Sequence, residues 1–154
     1  MRFTVVAVGK PREALLAAAI HEYEARAARY WPLTIVEVRG ELLRGRTPAE
    51  ARRRDAERLR AALPEGSSIW LCACEGKARS SEEFARWMQR IRESARDAAL
   101  LIGGAYGLDE SLHRDAAGII SLGPMTFPHE LARLVLAEQL YRAGTIIRGE
   151  PYHK

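Results

Sequence analysis

Five short runs of apolar residues punctuate this chain, and between them the apolar residues recur at helical spacing. That alternation constrains the fold more than any other feature. Residues 2–8 and 33–38 alternate and are rich in β-branched side chains, so they read as strands. Residues 68–74, 98–102 and 118–122 form three more. Residues 68–74 are nearly all apolar, which suits a strand covered on both faces, as in parallel sheets. Helical stretches fill the gaps. Residues 13–30 carry Leu15, Leu16, Ala19, Ile20 and Tyr23 on one stripe. Thr47, Pro48 and Glu50 open a second helix with a capping box and a proline at its first position. Ser80 to Glu83 cap a third, striped with Phe84, Trp87, Met88 and Ile91, and Asp109 is a candidate cap for a short fourth. The expected fold class is α/β: a single domain over residues 1–154, with one mostly parallel sheet and helices on both faces.

The last helix starts after Pro128, and Gly144 is a plausible stop. On a helical wheel, Leu131, Leu134, Val135 and Tyr141 fall on one broad face, while Leu136 and Leu140 fall almost opposite. A helix on the outside of a monomer needs one apolar stripe. Two stripes predict burial on both sides: one against the sheet and one against a second copy of the chain in a homodimer, the alternative being a central core helix of a monomer. Glu138 and Arg142 sit within the first face at a spacing that lets them pair. They are either an ion pair at the edge of an interface or a polar centre facing a pocket.

The net charge of +4 is local. Residues 39–60 hold eight arginines against four acids, so the rest of the chain is balanced. A concentrated basic segment fits contact with a phosphate backbone as well as a solvated helix face. No apolar run approaches the ~20 residues of a membrane span. The first one is cut off by Lys10, Pro11, Arg12 and Glu13, unlike a secretory signal, so a cytoplasmic protein with no membrane partner is expected. Cys72 and Cys74 are the only cysteines; a strand would put both on one face, where they read as small buried hydrophobes rather than a disulfide or a metal site.

Open parallel sheets bind ligands beyond the carboxyl ends of their strands. Three such ends are of interest: residues 74–77, Gly103 with Gly104, and residues 123–128 with their two prolines. Together they would form a pocket rich in backbone groups and poor in charged side chains. Such a pocket suits an adenine ring and a thioether better than a row of phosphates. No P-loop pattern occurs, and no Gly-x-Gly-x-x-Gly follows the first strand, which weighs against a nucleotide-dependent oxidoreductase.

The run HELARLVLAEQLYRA at residues 129–143, the ending PYHK at 151–154, the stretch Leu100 to Gly104 with Gly107, and the opening Val6, Ala7, Val8, Gly9 resemble the RlmH family in order and spacing over essentially the whole length. These are SPOUT-class methyltransferases that modify a pseudouridine of 23S ribosomal RNA. The resemblance implies a C-terminal trefoil knot, over about residues 70–154, and S-adenosylmethionine as cofactor. It implies a donor site at Cys72, Ala73, Gly103, Gly104, Gly123, Pro124, Met125, Thr126, Phe127 and Pro128. The family commonly carries aspartate where this chain has Ala73, and a proline-containing turn where it has Ala105 and Tyr106. The implied reaction is methyl transfer to N3 of pseudouridine, on the assembled ribosome. His153 and Glu138 are the candidate bases, Arg142 would stabilise the developing imidate or hold a phosphate, and Tyr152 would stack on the base. The implied partners are large-subunit ribosomal RNA and a second protomer. The alternative to an enzyme is a non-catalytic ribosome-binding module.

Overall fold

The structure is a computed structural model that describes residues 1–153; the side chain of His153 and all of Lys154 lie outside the described residues. The elements follow in chain order as β1 (Phe3–Val8), α1 (Ala14–Ala27), β2 (Leu33–Val38), α2 (Pro48–Ala61), β3 (Ser68–Ala78), α3 (Ser81–Glu93), β4 (Ala98–Ile102), α4 (Glu110–Asp115), β5 (Gly118–Ser121) and α5 (His129–Ile147), with a short 3-10 turn at Pro151–His153. The sheet order is β2-β1-β4-β3-β5, and every pair is parallel. The expected single α/β domain is therefore observed.

Alternate residues of each central strand serve different cores. Phe3, Val5, Ala7, Ala98, Leu100 and Ile102 pack with α1, α3 and α5, whereas Val6, Val8, Leu71, Ala99 and Leu101 pack with α2 and α4. β1 and β4 are buried along their whole length, as a doubly covered parallel sheet requires. Local chemistry sets the helix starts. Thr47 with Glu50 and Ser80 with Glu83 form reciprocal capping boxes, and the Asp109 side chain accepts from the Ser111 amide at 3.0 Å.

Four expectations need correction. β3 does not end at residue 74: Cys72 and Lys77 both pair with Ile120, so residues 73–76 loop out of an eleven-residue strand that then rejoins β5. Cys74 therefore leaves the strand face and is exposed, while Cys72 stays packed against the core. The α1 stripe is rotated: Ile20, Glu24 and Ala27 are buried and Leu15 is 81% exposed. Gly144 does not stop α5, which runs on to Ile147 before Gly149 turns into the left-handed region. Gly144 lies where α5 crosses Tyr30, and a Cβ there would come within 2.3 Å of the Tyr30 ring.

The buried face of α5 carries Leu136, Ala137, Leu140 and Ala143. On the other side Leu131 is exposed, and Leu134 and Val135 are half-buried. One stripe is thus consumed by the fold and the second is left partly open. Arg133 is the exception on the inward side. Its side chain is 4% exposed, and its guanidinium donates to Glu24 of α1 at 2.7 and 3.2 Å and to Glu37 of β2 at 2.6 Å.

Candidate functional site

β4, β3 and β5 are adjacent, so the segments leaving their carboxyl ends meet at one edge of the sheet. They enclose a cavity of about 890 Å3. Eight of the ten residues expected to hold the donor line it: Cys72, Ala73, Gly103, Gly104, Gly123, Met125, Thr126 and Phe127. Pro124 and Pro128 do not line it; both are exposed, and Pro128 is the extended residue before α5, its carbonyl accepting from the Ala132 amide at 2.9 Å.

Each wall has a local cause. After β4 the chain reverses through Gly104 and Gly107, whose amide donates to the Gly104 carbonyl at 3.1 Å. A Cβ at Gly103 would sit 2.9 Å from the Gly107 carbonyl group, and one at Gly104 2.9 Å from Val8, so the backbone itself forms this wall. The Ser121 hydroxyl lies 2.9 Å from the Gly123 carbonyl and 3.2 Å from the Cys74 carbonyl, which joins the third wall to the β3 loop. Burial pushes the Cys72 thiol up to about 12, so it is an inert neutral wall residue.

The rim is more charged than the sequence suggested. Arg52, Glu75, Asp109, Glu110 and His113 all reach the cavity, with Tyr106, Leu108 and His129. His113 reads as a surface residue in sequence; its Nε2 lies 3.0 Å from the Glu75 carboxylate and its Nδ1 3.2 Å from the Asp109 carbonyl. Glu75's own backbone amide, and then His113, hold the Glu75 carboxyl below the usual carboxylate range. The Ser111 hydrogen bonds do the same for Asp109, helped by the charges of Arg53 and Arg52. No sequence signal marks Glu75, His113 and Arg52 as neighbours, because they come from a strand excursion and two helices.

The candidates for catalysis lie elsewhere. Arg142 donates twice to the Glu138 carboxylate, at 2.9 and 2.6 Å, and Tyr152 donates to the same oxygen at 3.2 Å. The Arg142 guanidinium lies 4.9 Å from the Tyr152 ring centroid, and the Tyr23 hydroxyl is 3.3 Å from that of Tyr152. Burial, and then the Tyr23 contact, raise the Tyr152 phenol well above its usual value, so it stays protonated. The Glu138 hydrogen bond likewise keeps Arg142 charged. The His153 side chain is outside the described residues. Within one chain this cluster does not face the cavity: Ala132 lines the cavity, and Arg142 lies ten residues further along α5, about 15 Å of helix rise. Among the described residues no group of three His, Cys, Asp or Glu is placed to hold a metal ion, and no helix is long and apolar enough to cross a membrane.

Residues 1–153 match the family model described as Predicted SPOUT methyltransferase. A protein of Gemmatimonas aurantiaca named Ribosomal RNA large subunit methyltransferase H is 53% identical over 154 residues, covering 100% of both chains. One of the same name from Pelobacter propionicus is 42% identical, covering 99% of each. Among solved structures, the SpoU methyltransferase AviRb from Streptomyces viridochromogenes, in complex with the cofactor AdoMet, overlaps 97% of this chain and 59% of its own at 15% identity and a TM-score of 0.48, too distant to inform the site. On the full-length family match and these identities, the chain belongs to the SPOUT methyltransferase family, among the ribosomal RNA large subunit methyltransferase H proteins.

Proposed function

We propose that this protein is an S-adenosylmethionine-dependent methyltransferase that methylates N3 of a pseudouridine in 23S ribosomal RNA. It works as a cytoplasmic homodimer of knotted protomers, the knot spanning about residues 70–154, and the assembled ribosome supplies part of the recognition. The observation that carries the reading is the backbone-walled cavity where three strand ends converge, in a chain 53% identical over its full length to a protein named Ribosomal RNA large subunit methyltransferase H.

The residues present fit the donor. At about 890 Å3 the cavity is within the range of small-molecule sites. Ile102, Leu108, Leu122, Met125 and Phe127 offer apolar surface to an adenine, and the Gly103–Gly104 backbone leaves close approach open. Glu75, Asp109 and Glu110 on the rim suit the donor's cationic end. When bound, the donor supplies an electrophilic methyl on a sulfonium sulfur.

The chain's part is to place N3 in line with that methyl, exclude water and accept the imide proton. Glu138, Arg142 and Tyr152 form a preassembled polar cluster near the chain's end, and their distance from the cavity of their own chain favours action in the partner's. The half-open α5 stripe of Leu131, Leu134 and Val135, with exposed Leu15 of α1, is the face we assign to the dimer. Arg142, held charged by Glu138, would stabilise the developing imidate. The protonated Tyr152 would stack on the base, and His153 would take the proton. Glu138 already accepts from Arg142 and Tyr152, so it orients rather than abstracts.

The test is methyl transfer from tritiated donor to ribosomes of cells lacking the modification, with donor binding followed by calorimetry. Donor-dependent incorporation is expected; incorporation equal to a no-enzyme blank would refute the reading. Donor binding without transfer would also count against it.

A further inference from the structure

Eight arginines lie between residues 39 and 60, and the fold divides them into two groups. Arg46 and Arg58 both donate to Glu41, at 2.9 and 2.6 Å, and Arg58 also reaches Asp55 and the Arg39 carbonyl. Arg60 donates to Asp115 and, at 2.9 Å, to the Ser111 carbonyl. These three fasten the loop before α2 to the helix, and α2 to α4. Withdrawing Arg58 would leave the Asp55 carboxylate, its side chain 5% exposed, without a cation and Glu41, 12% exposed, with Arg46 alone. Such groups are not free to bind a ligand.

The other five, Arg39, Arg44, Arg52, Arg53 and Arg54, make no ion pair or side-chain hydrogen bond among the described residues. Set against Glu50 and Glu57, the two acids of the segment outside those pairs, they supply a net +3 of its +4. Their placement is not random. Ala51, Asp55, Ala56 and Leu59 are the inward positions of α2. Ala49 and Arg52 line the cavity, and Arg53, four residues after Ala49, shares their side of the helix. Arg53 and Arg54 are exposed, and Arg44 lies in the loop just before the helix. An unpaired cationic row therefore runs from the mouth of the donor cavity outward across the first turns of α2. Asp109 feels the charges of Arg52 and Arg53, and Glu50 that of Arg53, but none of these carboxylates forms an ion pair with the row, so a line of phosphates can still accept the forked hydrogen bonds of its guanidinium groups.

Resting on the methyltransferase reading above, we propose that the substrate RNA backbone crosses this protein over the first two turns of α2. Arg52 and Arg53 hold the phosphates that flank the nucleotide presented to the cavity. Arg54 and Arg44 hold the next ones outward. Arg46, Arg58 and Arg60 are internal fasteners and carry no RNA.

The test is the salt dependence of binding to unmodified assembled ribosomes, read without catalysis. The triple variant Arg44→Gln/Arg53→Gln/Arg54→Gln, which leaves the cavity lining intact, should flatten the slope of log Kd against log salt by about 2–3, since each lost phosphate contact removes roughly 0.7–0.9. Arg60→Gln, compared as folded protein, should keep the wild-type slope. Donor affinity by calorimetry should stay at the wild-type level in both. An unchanged slope in the triple variant overturns the proposal. So does a slope change of equal size in Arg60→Gln, or a loss of donor affinity that accounts for the triple variant's defect. Intact, salt-sensitive RNA binding by a wild-type protein that transfers no methyl would sink the methyltransferase reading and leave this surface standing.

Discussion

Replacing Arg133 by methionine should be the most damaging single change to the frame that holds the donor cavity. Arg133 lies one turn into α5, whose preceding loop supplies the third cavity wall. Its side chain is 4% exposed, and those of its partners Glu24 and Glu37 are 10% and 22% exposed. Methionine keeps much of the volume and helix propensity, so the effect isolates the charge. It leaves Glu24 without its cation, and breaking a buried pair this way costs about 3–5 kcal/mol. For a domain of this size that lowers Tm by roughly 6–20 °C, against a total stability of about 5–15 kcal/mol. Urea unfolding followed by circular dichroism measures it. The second arm is Arg133→Met with Glu24→Leu, which removes both buried charges. If the single-variant loss is the penalty of an orphaned carboxylate, the double variant recovers most of it, because apolar replacement of a buried pair is often neutral or better. A loss below about 1 kcal/mol in Arg133→Met, or additive losses in the double variant, would refute the reasoning.

Gly144→Ala should destabilise despite alanine's helix preference: that gain is about 0.5–1 kcal/mol, while overpacking against the Tyr30 ring costs about 1–3 or more, and a raised urea midpoint would contradict it. Gly103→Ala pushes a Cβ against the Gly107 carbonyl group, so the turn must shift; it should weaken donor binding at least about tenfold, an energy of ~1.4 kcal/mol, and lower Tm as overpacking does, and calorimetry showing unchanged donor affinity would contradict it. Arg142→Ala should lower kcat about 10²–10³-fold, as for loss of one oxyanion donor, with donor Kd nearly unchanged; an equal fall in donor affinity would move Arg142 into the donor site. The Glu75 carboxyl is held low in the folded state, so ionised Glu75 stabilises the fold above its ordinary value of 4.5, and this is lost as pH falls through the lowered folded value. Glu75→Gln should therefore show a flatter fall in urea midpoint than wild type below about pH 4.5, and identical acid limbs would count against the Glu75–His113 pair.

Local signals determined the elements. Strand and helix alternation placed all five strands and five helices, and Thr47, Ser80 and Asp109 cap where their side chains can reach an amide two or three residues on. Those effects act within a turn of chain, so one sequence suffices to read them. The half-open second stripe of α5 was legible for the same reason, since helical period alone fixes which residues share a face.

What the sequence could not determine is which distant groups meet. The order β2-β1-β4-β3-β5 brings three strand ends into one cavity, and only pairing across the sheet sets that order. The loop at residues 73–76 exists because β3 rejoins β5 at Ile120, a register choice invisible in β3 itself. Charge counting found eight arginines between residues 39 and 60, but their partners Glu41, Asp55 and Asp115 decide which remain free. Arg133, a polar break in an apolar helix, became intelligible once Glu24 and Glu37 were seen around it. Periodicity is a property of neighbours along the chain, whereas a site is a property of neighbours in space. Tertiary packing alone supplies the second.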